Sequence, residues 1–112
     1  MLFVRLFTNV ENEQKAKDLL QEILEPIRQY ILLIKKLNVK PYWKIKDQFV
    51  VECLLELDKD FGETEKSAFL NNIADTNKFF GDPDDEYIIS NQYPGHIKDG
   101  ICLLDVFFNY VK

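Results

Sequence analysis

Pro41-Tyr42-Trp43-Lys44-Ile45-Lys46-Asp47-Gln48-Phe49-Val50-Val51-Glu52-Cys53-Leu54-Leu55-Glu56-Leu57 holds the only tryptophan, one of the two cysteines and the densest run of β-forming residues. Two strands folded back at Lys46, Asp47 and Gln48 account for it. In residues 49–57, Phe49, Val51, Cys53, Leu55 and Leu57 fall on one face. Val50, Glu52, Leu54 and Glu56 fall on the other, the alternation of a strand with one face in a core. Residues 42–46 read as a short edge strand that starts after Pro41, a residue sheets tolerate only at an edge or a strand start. Lys40, Lys44 and Lys46 suit an edge, because charge there discourages pairing with other molecules. On that strand one of Tyr42 and Trp43 faces the core and its neighbour faces out. The outward aromatic is a binding anchor, and the competing reading has Trp43 capping the core.

Outward from this stretch, residues 2–7 alternate as a first strand, with Leu2, Val4 and Leu6 on one side. Thr8-Asn9-Val10-Glu11 matches a capping box, with Asn9 a rival cap. Ala16, Leu19, Leu20, Ile23, Leu24 and Ile27 then form an apolar helical stripe. Pro26 disturbs that helix, yet the stripe continues through Tyr30, Ile31 and Ile34. A kinked helix over 9–36, a stop near Glu25 with a second short helix, and a strand over 30–34 all remain open, with the helix preferred.

Residues 58–62 read as a turn and 63–76 as a second helix with Phe69, Leu70, Ile73 and Ala74 inward. Residues 78–86 read as a polar loop, 86–90 as a strand, 91–100 as a long connection and 101–110 as a last strand. The expected fold is α+β: an antiparallel sheet of about five strands with two helices on one face, in the split βαβ order of ferredoxin-like domains.

The chain has 112 residues, 46% of them hydrophobic and 29% charged. That implies one domain over residues 1–112, large enough to bury a core without metal or disulfide staples. Met1-Leu2-Phe3-Val4-Arg5 lacks the pattern of a secretory leader, and the longest apolar run is far too short to span a bilayer. A cytoplasmic protein with no membrane association is expected, with Cys53 and Cys102 as reduced core thiols.

The net charge of −5 is unevenly spread. Residues 1–46 carry nine basic and five acidic side chains, whereas 47–112 carry five basic and fourteen acidic ones. An acidic half of this size argues against nucleic acid and fits a basic partner. Asp82, Asp84, Asp85 and Glu86 form its densest cluster.

Chemical motifs are sparse. Asp58-x-Asp60-x-Gly62 fails as a calcium loop because the glycine is one place early and Phe69 stands where the closing Glu belongs. His96 is the only histidine, and no nucleophile is spaced to form a triad with it. Two isolated cysteines and one histidine do not make a zinc site, so no metal and no cofactor are expected.

The run 41–45 leading into Phe49-Val50-Val51-Glu52, with Tyr87-Ile88-Ile89 followed by Pro94-Gly95-His96-Ile97, resembles single-domain bacterial immunity proteins encoded beside polymorphic or contact-dependent toxins. The resemblance spans residues 41–108. It implies a cytosolic, non-enzymatic inhibitor that binds a cognate toxin domain, with the acidic half steering it to a basic one. Tyr42, Trp43, Asp82, Asp84, Asp85 and Glu86 are then the candidate contacts, on a monomer or weak homodimer. Competing readings are a ligand-binding or dimeric regulatory domain of ferredoxin-like fold, and a small enzyme using His96 or Tyr93.

Overall fold

The computed structural model describes residues 1–81 and 85–109. Strand β1 (Leu2–Thr8) leads to helix α1 (Glu13–Leu24), a 3-10 helix (Glu25–Tyr30) and strand β2 (Ile31–Pro41). Strand β3 (Phe49–Leu57) and helix α2 (Glu63–Ile73) follow, then β4 (Lys78–Phe80), β5 (Glu86–Ser90) and β6 (Ile101–Phe107). The class is α+β. The sheet has six antiparallel strands in the order β2-β3-β1-β6-β5-β4.

The alternation in β1 decides its layers. Leu2, Val4 and Leu6 are fully buried and pack with Val51, Cys53, Leu55, Leu104 and Val106. Ala16, Leu19, Leu20 and Ile23 of α1 and Phe69, Leu70 and Ile73 of α2 belong to the same cluster, so both helices cover one face. The opposite, open face carries Phe3, Arg5 and Phe7 at partial exposure. Phe49, Val51, Cys53 and Leu55 follow the expected face, as do Leu104 and Val106.

Several expectations are corrected. The segment after Pro26 is not a kinked helix to residue 36. Pro26 sits at the start of the 3-10 helix, where its missing N–H breaks no bond. The chain then becomes the 11-residue edge strand β2. Its register against β3 shifts between Ile31 and Leu33 and again between Ile34 and Lys36. Each bulge adds a residue, so Ile31, Ile34 and Leu37 all meet core-facing partners: Leu57, Leu55 and Cys53. Three-residue spacing on one face imitates a helical stripe.

Residues 42–46 are not a strand. The β2–β3 ladder begins at Pro41 opposite Phe49, and the Tyr42 N–H donates to the Gln48 carbonyl at 2.8 Å. That closes residues 42–48 into a loop, with Asp47 left-handed at φ 66°. The sheet therefore has six strands rather than about five. Lys78–Phe80, read as loop, pairs with β5 through Lys78–Ile88 and Phe80–Glu86. Helix α2 stops at Ile73 because Ala74 turns to extended backbone and bridges Ile97.

The first helix is capped by Asn12, whose side-chain oxygen accepts from the Lys15 N–H at 2.9 Å, and not by a Thr8–Glu11 box. The Thr8 hydroxyl instead donates to the Gly100 carbonyl at 2.6 Å, tying β1 to the start of β6. Gly100 has φ +92°, and a Cβ there would lie 3.1 Å from the Leu19 side chain. In helix α2 the Glu65 carboxylate accepts from the Gly62 N–H at 2.8 Å.

Asn12→Ala is expected to lower stability by about 1 kcal/mol in urea unfolding, as loss of a cap does. Glu11→Ala removes only an exposed pair with Lys15 and should cost under about 0.5 kcal/mol. Equal losses for the two would restore the Thr8–Glu11 box.

Candidate functional site

The strand β2 is a sheet edge, so among the described residues one side of its backbone is left without a strand partner. Its side chains are also exposed. Leu32, Leu33, Ile34 and Leu37 are between 45% and 60% accessible, unusual for four large apolar residues on one strand. A groove of about 310 Å³ runs between this strand and the end of α1, lined by Gln21, Leu24, Arg28, Ile31 and Ile34. It lies beside the contacts that α1 makes with β2, which leave Ile34 half exposed.

The loop after β2 extends this surface. The Tyr42 ring is half-buried against Phe7, edge to face, with ring centroids 5.0 Å apart. Trp43 is 82% exposed, with only Tyr42 and the Lys44 ammonium against its ring. Of the two aromatics, Trp43 is therefore the outward one, and it does not cap the core. Ile45 beside it is also exposed. Lys35, Lys36, Lys40, Lys44 and Lys46 are interleaved with these residues. Lys40 reaches Glu52 at 3.8 Å, and Lys35 and Lys36 make no ion pair among the described residues. Residues 32–46 are thus a basic, apolar strip in a chain of net charge −5.

The acidic candidates are placed elsewhere. Asp82 and Asp84 lie outside the described residues. The backbone of Asp85 bonds to Phe80 and Phe108, which fixes the end of the β4–β5 connection. Glu86 starts β5 and pairs with Phe107, itself opposite Phe3. Tyr42 packs on Phe7, at the other end of β1. The structure therefore does not bring Tyr42 and Trp43 together with Asp85 and Glu86.

Instead, Glu86 joins a polar row across the open face. Glu52, Arg5 and Asp105 are cross-strand neighbours on β3, β1 and β6. The Arg5 guanidinium binds Glu52 through Nε and Nη2, both at 3.0 Å. That leaves Asp105, on its other side, weakly compensated, and its buried Oδ1 has no hydrogen-bond partner. Burial, then a hydrogen bond with Glu86 and the charge of Glu86, push the Asp105 carboxyl up to about 7, against the pull of Arg5. Sequence reading missed this row. Its signal was present in Arg5 and Asp105, the one charged residue on the outward face of β1 and of β6, and in Glu52 on that of β3.

The remaining candidates have structural roles. His96 is exposed, and its N–H donates to the Asp75 carboxylate at 3.0 Å while its carbonyl accepts from the Asp75 N–H at 2.9 Å. Asp58 accepts from the Asp60 N–H at 2.8 Å, forming a turn before α2. Cys53 is a free thiol that burial pushes up to about 11, and Cys102 is free and also raised by burial. Among the described residues no three His, Cys, Asp or Glu side chains are grouped to hold a metal ion, and no helix is long and apolar enough to cross a membrane. Two larger depressions, about 500 and 530 Å³, are rimmed by charged side chains, including Lys35, Glu56, Lys59 and Glu63 in one and Asp18, Glu22, Glu25 and Lys98 in the other. Ligand pockets are lined mainly by apolar groups.

No protein-family model, no curated protein and no solved structure matches the chain.

The Asp105 shift has a defined sign. The folded chain holds this proton up to about pH 7, whereas an ordinary Asp releases it near 3.8. Its contribution to stability is therefore present at low pH and falls as pH rises from about 4 to about 7. Asp105→Asn cannot ionise, so relative to the native chain it should gain stability between pH 4.5 and pH 8 in urea unfolding. A difference that stays constant with pH would refute the shift.

Proposed function

We propose that this protein is a non-catalytic, cytoplasmic protein-binding domain of the immunity type, and that it binds its partner through the strip over residues 32–46. The observation that carries this is the exposure of Trp43 together with Leu32, Leu33, Ile34 and Leu37 on one continuous segment. Interface cores are enriched in such aromatic and aliphatic residues, and Trp is the commonest hot spot. The contact is thereby assigned to the basic strip and not to the acidic turn at 85–86. The acidic remainder of the surface acts at long range, orienting the molecule so that its basic strip leads toward the partner.

The frame behind this surface is proposed to be ferredoxin-like. The order β2-β3-β1-β6, joined by α1 and α2, supports a split βαβ arrangement to which β4 and β5 are added before the final strand. In such a frame both helices are committed to the core, and the sheet edges are the surfaces left for recognition.

The immunity reading is tested on the product of the neighbouring open reading frame. Its expression alone should arrest growth, and co-expression of this chain should restore it through a one-to-one complex. Trp43→Ala should weaken that complex by about thirtyfold or more, the effect of losing a hot spot. Unaltered affinity in this variant would remove the strip from the interface, and absence of any complex would remove the immunity function.

A further inference from the structure

The β2 edge carries more information than its exposure. From Lys36 to Pro41 the register is regular, so successive side chains alternate between faces. Lys36, Asn38 and Lys40 lie on the open face, opposite Leu54, Glu52 and Val50 of β3. Leu37 and Val39 lie on the helical face, opposite Cys53 and Val51. Ile34, one bulge earlier, adds to the helical side beside the groove at Leu24 and Arg28. The edge therefore offers three things in register: free backbone donors and acceptors, cations on one face and an apolar shelf on the other.

We infer that β2 takes a seventh strand, an extended partner segment whose side chains alternate acidic and apolar, with the acidic set over Lys36 and Lys40 and the apolar set over Ile34 and Leu37. This rests on the protein-binding reading above and names the partner chemistry of the same surface. A row of unpaired peptide groups is satisfied by another peptide strand, which neither a lipid surface nor a nucleic acid supplies. A second copy of β2 is disfavoured by charge. Residues 31–41 contain three lysines and no acid, so strands of two copies would set lysine against lysine. Lysines that serve only to block edge pairing do not require four large apolar side chains left 45–60% exposed along an 11-residue strand. A strand with acidic and apolar faces neutralises the first feature and covers Ile34 and Leu37 of the second.

The test uses the intact protein and three probes. The acidic probe is the peptide acetyl-Thr-Glu-Val-Glu-Val-Glu-Thr-amide. The second probe has Lys in place of each Glu, and the third has Pro in place of the central Val-Glu pair. Titration followed by amide NMR shifts should show the acidic peptide binding about tenfold more tightly than the lysine peptide, the combined effect expected of a few cross-strand charge pairs. Shifts and slowed hydrogen exchange should centre on residues 32–41, and the proline peptide should not bind. Lys36→Glu with Lys40→Glu should invert the preference, with circular dichroism showing that the variant is folded. Lys36→Gln with Lys40→Gln, a milder change, should abolish the preference without inverting it.

Equal binding of the acidic and lysine peptides, shifts centred elsewhere, or no shifts at about 1 mM peptide would overturn the proposal. So would phosphatidylserine vesicles protecting residues 32–46 where the acidic peptide does not, which would assign the strip to a membrane surface. A mass that rises with concentration together with protected β2 amides would place a second copy there and likewise overturn it. A neighbour-encoded complex that leaves β2 amides exchanging would end strand addition but keep the immunity reading. Acidic peptide docking without any neighbour-encoded complex would do the reverse.

Discussion

The structure depends on a mismatch of widths. Two packed helices, each about 10 Å across, cover about 20 Å. Six strands spaced about 4.8 Å apart need about 24 Å between the outermost backbones alone. The helices therefore cannot enclose both margins of the sheet. The exposures follow this geometry. Side chains of β1 under the helices, Leu2, Val4 and Leu6, have no accessible surface. On the same face, Ile34 and Leu37 on one outer strand and Phe79 on the other are about half exposed. The exposure on β2 is thus a consequence of architecture, because α1 is only 12 residues long and packs over β3 and β2 without enclosing the side chains of the outer strand.

The uncovered margins differ in chemistry. At β4, Phe79 packs against Tyr87, which with Phe108 also receives the Lys66 ammonium of α2 at 5.1 Å. Lys66 is nearly buried there, so this end of the sheet is tied back to the second helix by aromatic and cation–π contacts. At β2 no cation–π tie to a helix is made among the described residues: Lys35 and Lys36 extend from the strand and Trp43 projects from the loop that ends it. Between the margins the open face is organised by Arg5. Its commitment to Glu52 orders the β1–β3 side and leaves Asp105 and Glu86 to share a poorly compensated site on the β6–β5 side. Electrostatics on this face thus couple the sheet interior to pH, and the row meets the basic strip where Lys40 reaches Glu52.

Much of this was legible in the sequence where period and burial agree. The strands read over 2–7, 49–57 and 101–110 correspond to Leu2–Thr8, Phe49–Leu57 and Ile101–Phe107, and with the helical stripe from Ala16 to Leu24 they follow from spacing because each buries a row of apolar side chains; Tyr110 lies outside the described residues, and a register shift buries Ile101 in place of Cys102. The edge strand was not legible, for two physical reasons. Its bulges put Ile31, Ile34 and Leu37 three residues apart on one face, the spacing a helix would use. Its apolar residues are half exposed, so burial imposes no clean alternation on them. The strand β4 has three residues and no buried side chain, too little to leave a pattern. For the candidate site, Trp43 was visible as an aromatic beside a sheet edge, but its outward direction depended on residues 42–48 closing as a loop. The polar row of Glu52, Arg5 and Asp105 is assembled across strands by register, which single-strand reading does not reveal.

The central claim is that β2 is an open edge of the sheet. Native-state amide hydrogen exchange on the free, dilute protein tests it most directly, residue by residue. The account predicts that amides of β1, bonded on both sides between β3 and β6, exchange only through global unfolding. In β2, the alternate amides that point away from β3 should exchange many orders of magnitude faster, while those bonded to β3 remain protected. Uniform protection along β2, equal to that of β1, would contradict the account by showing the edge already covered.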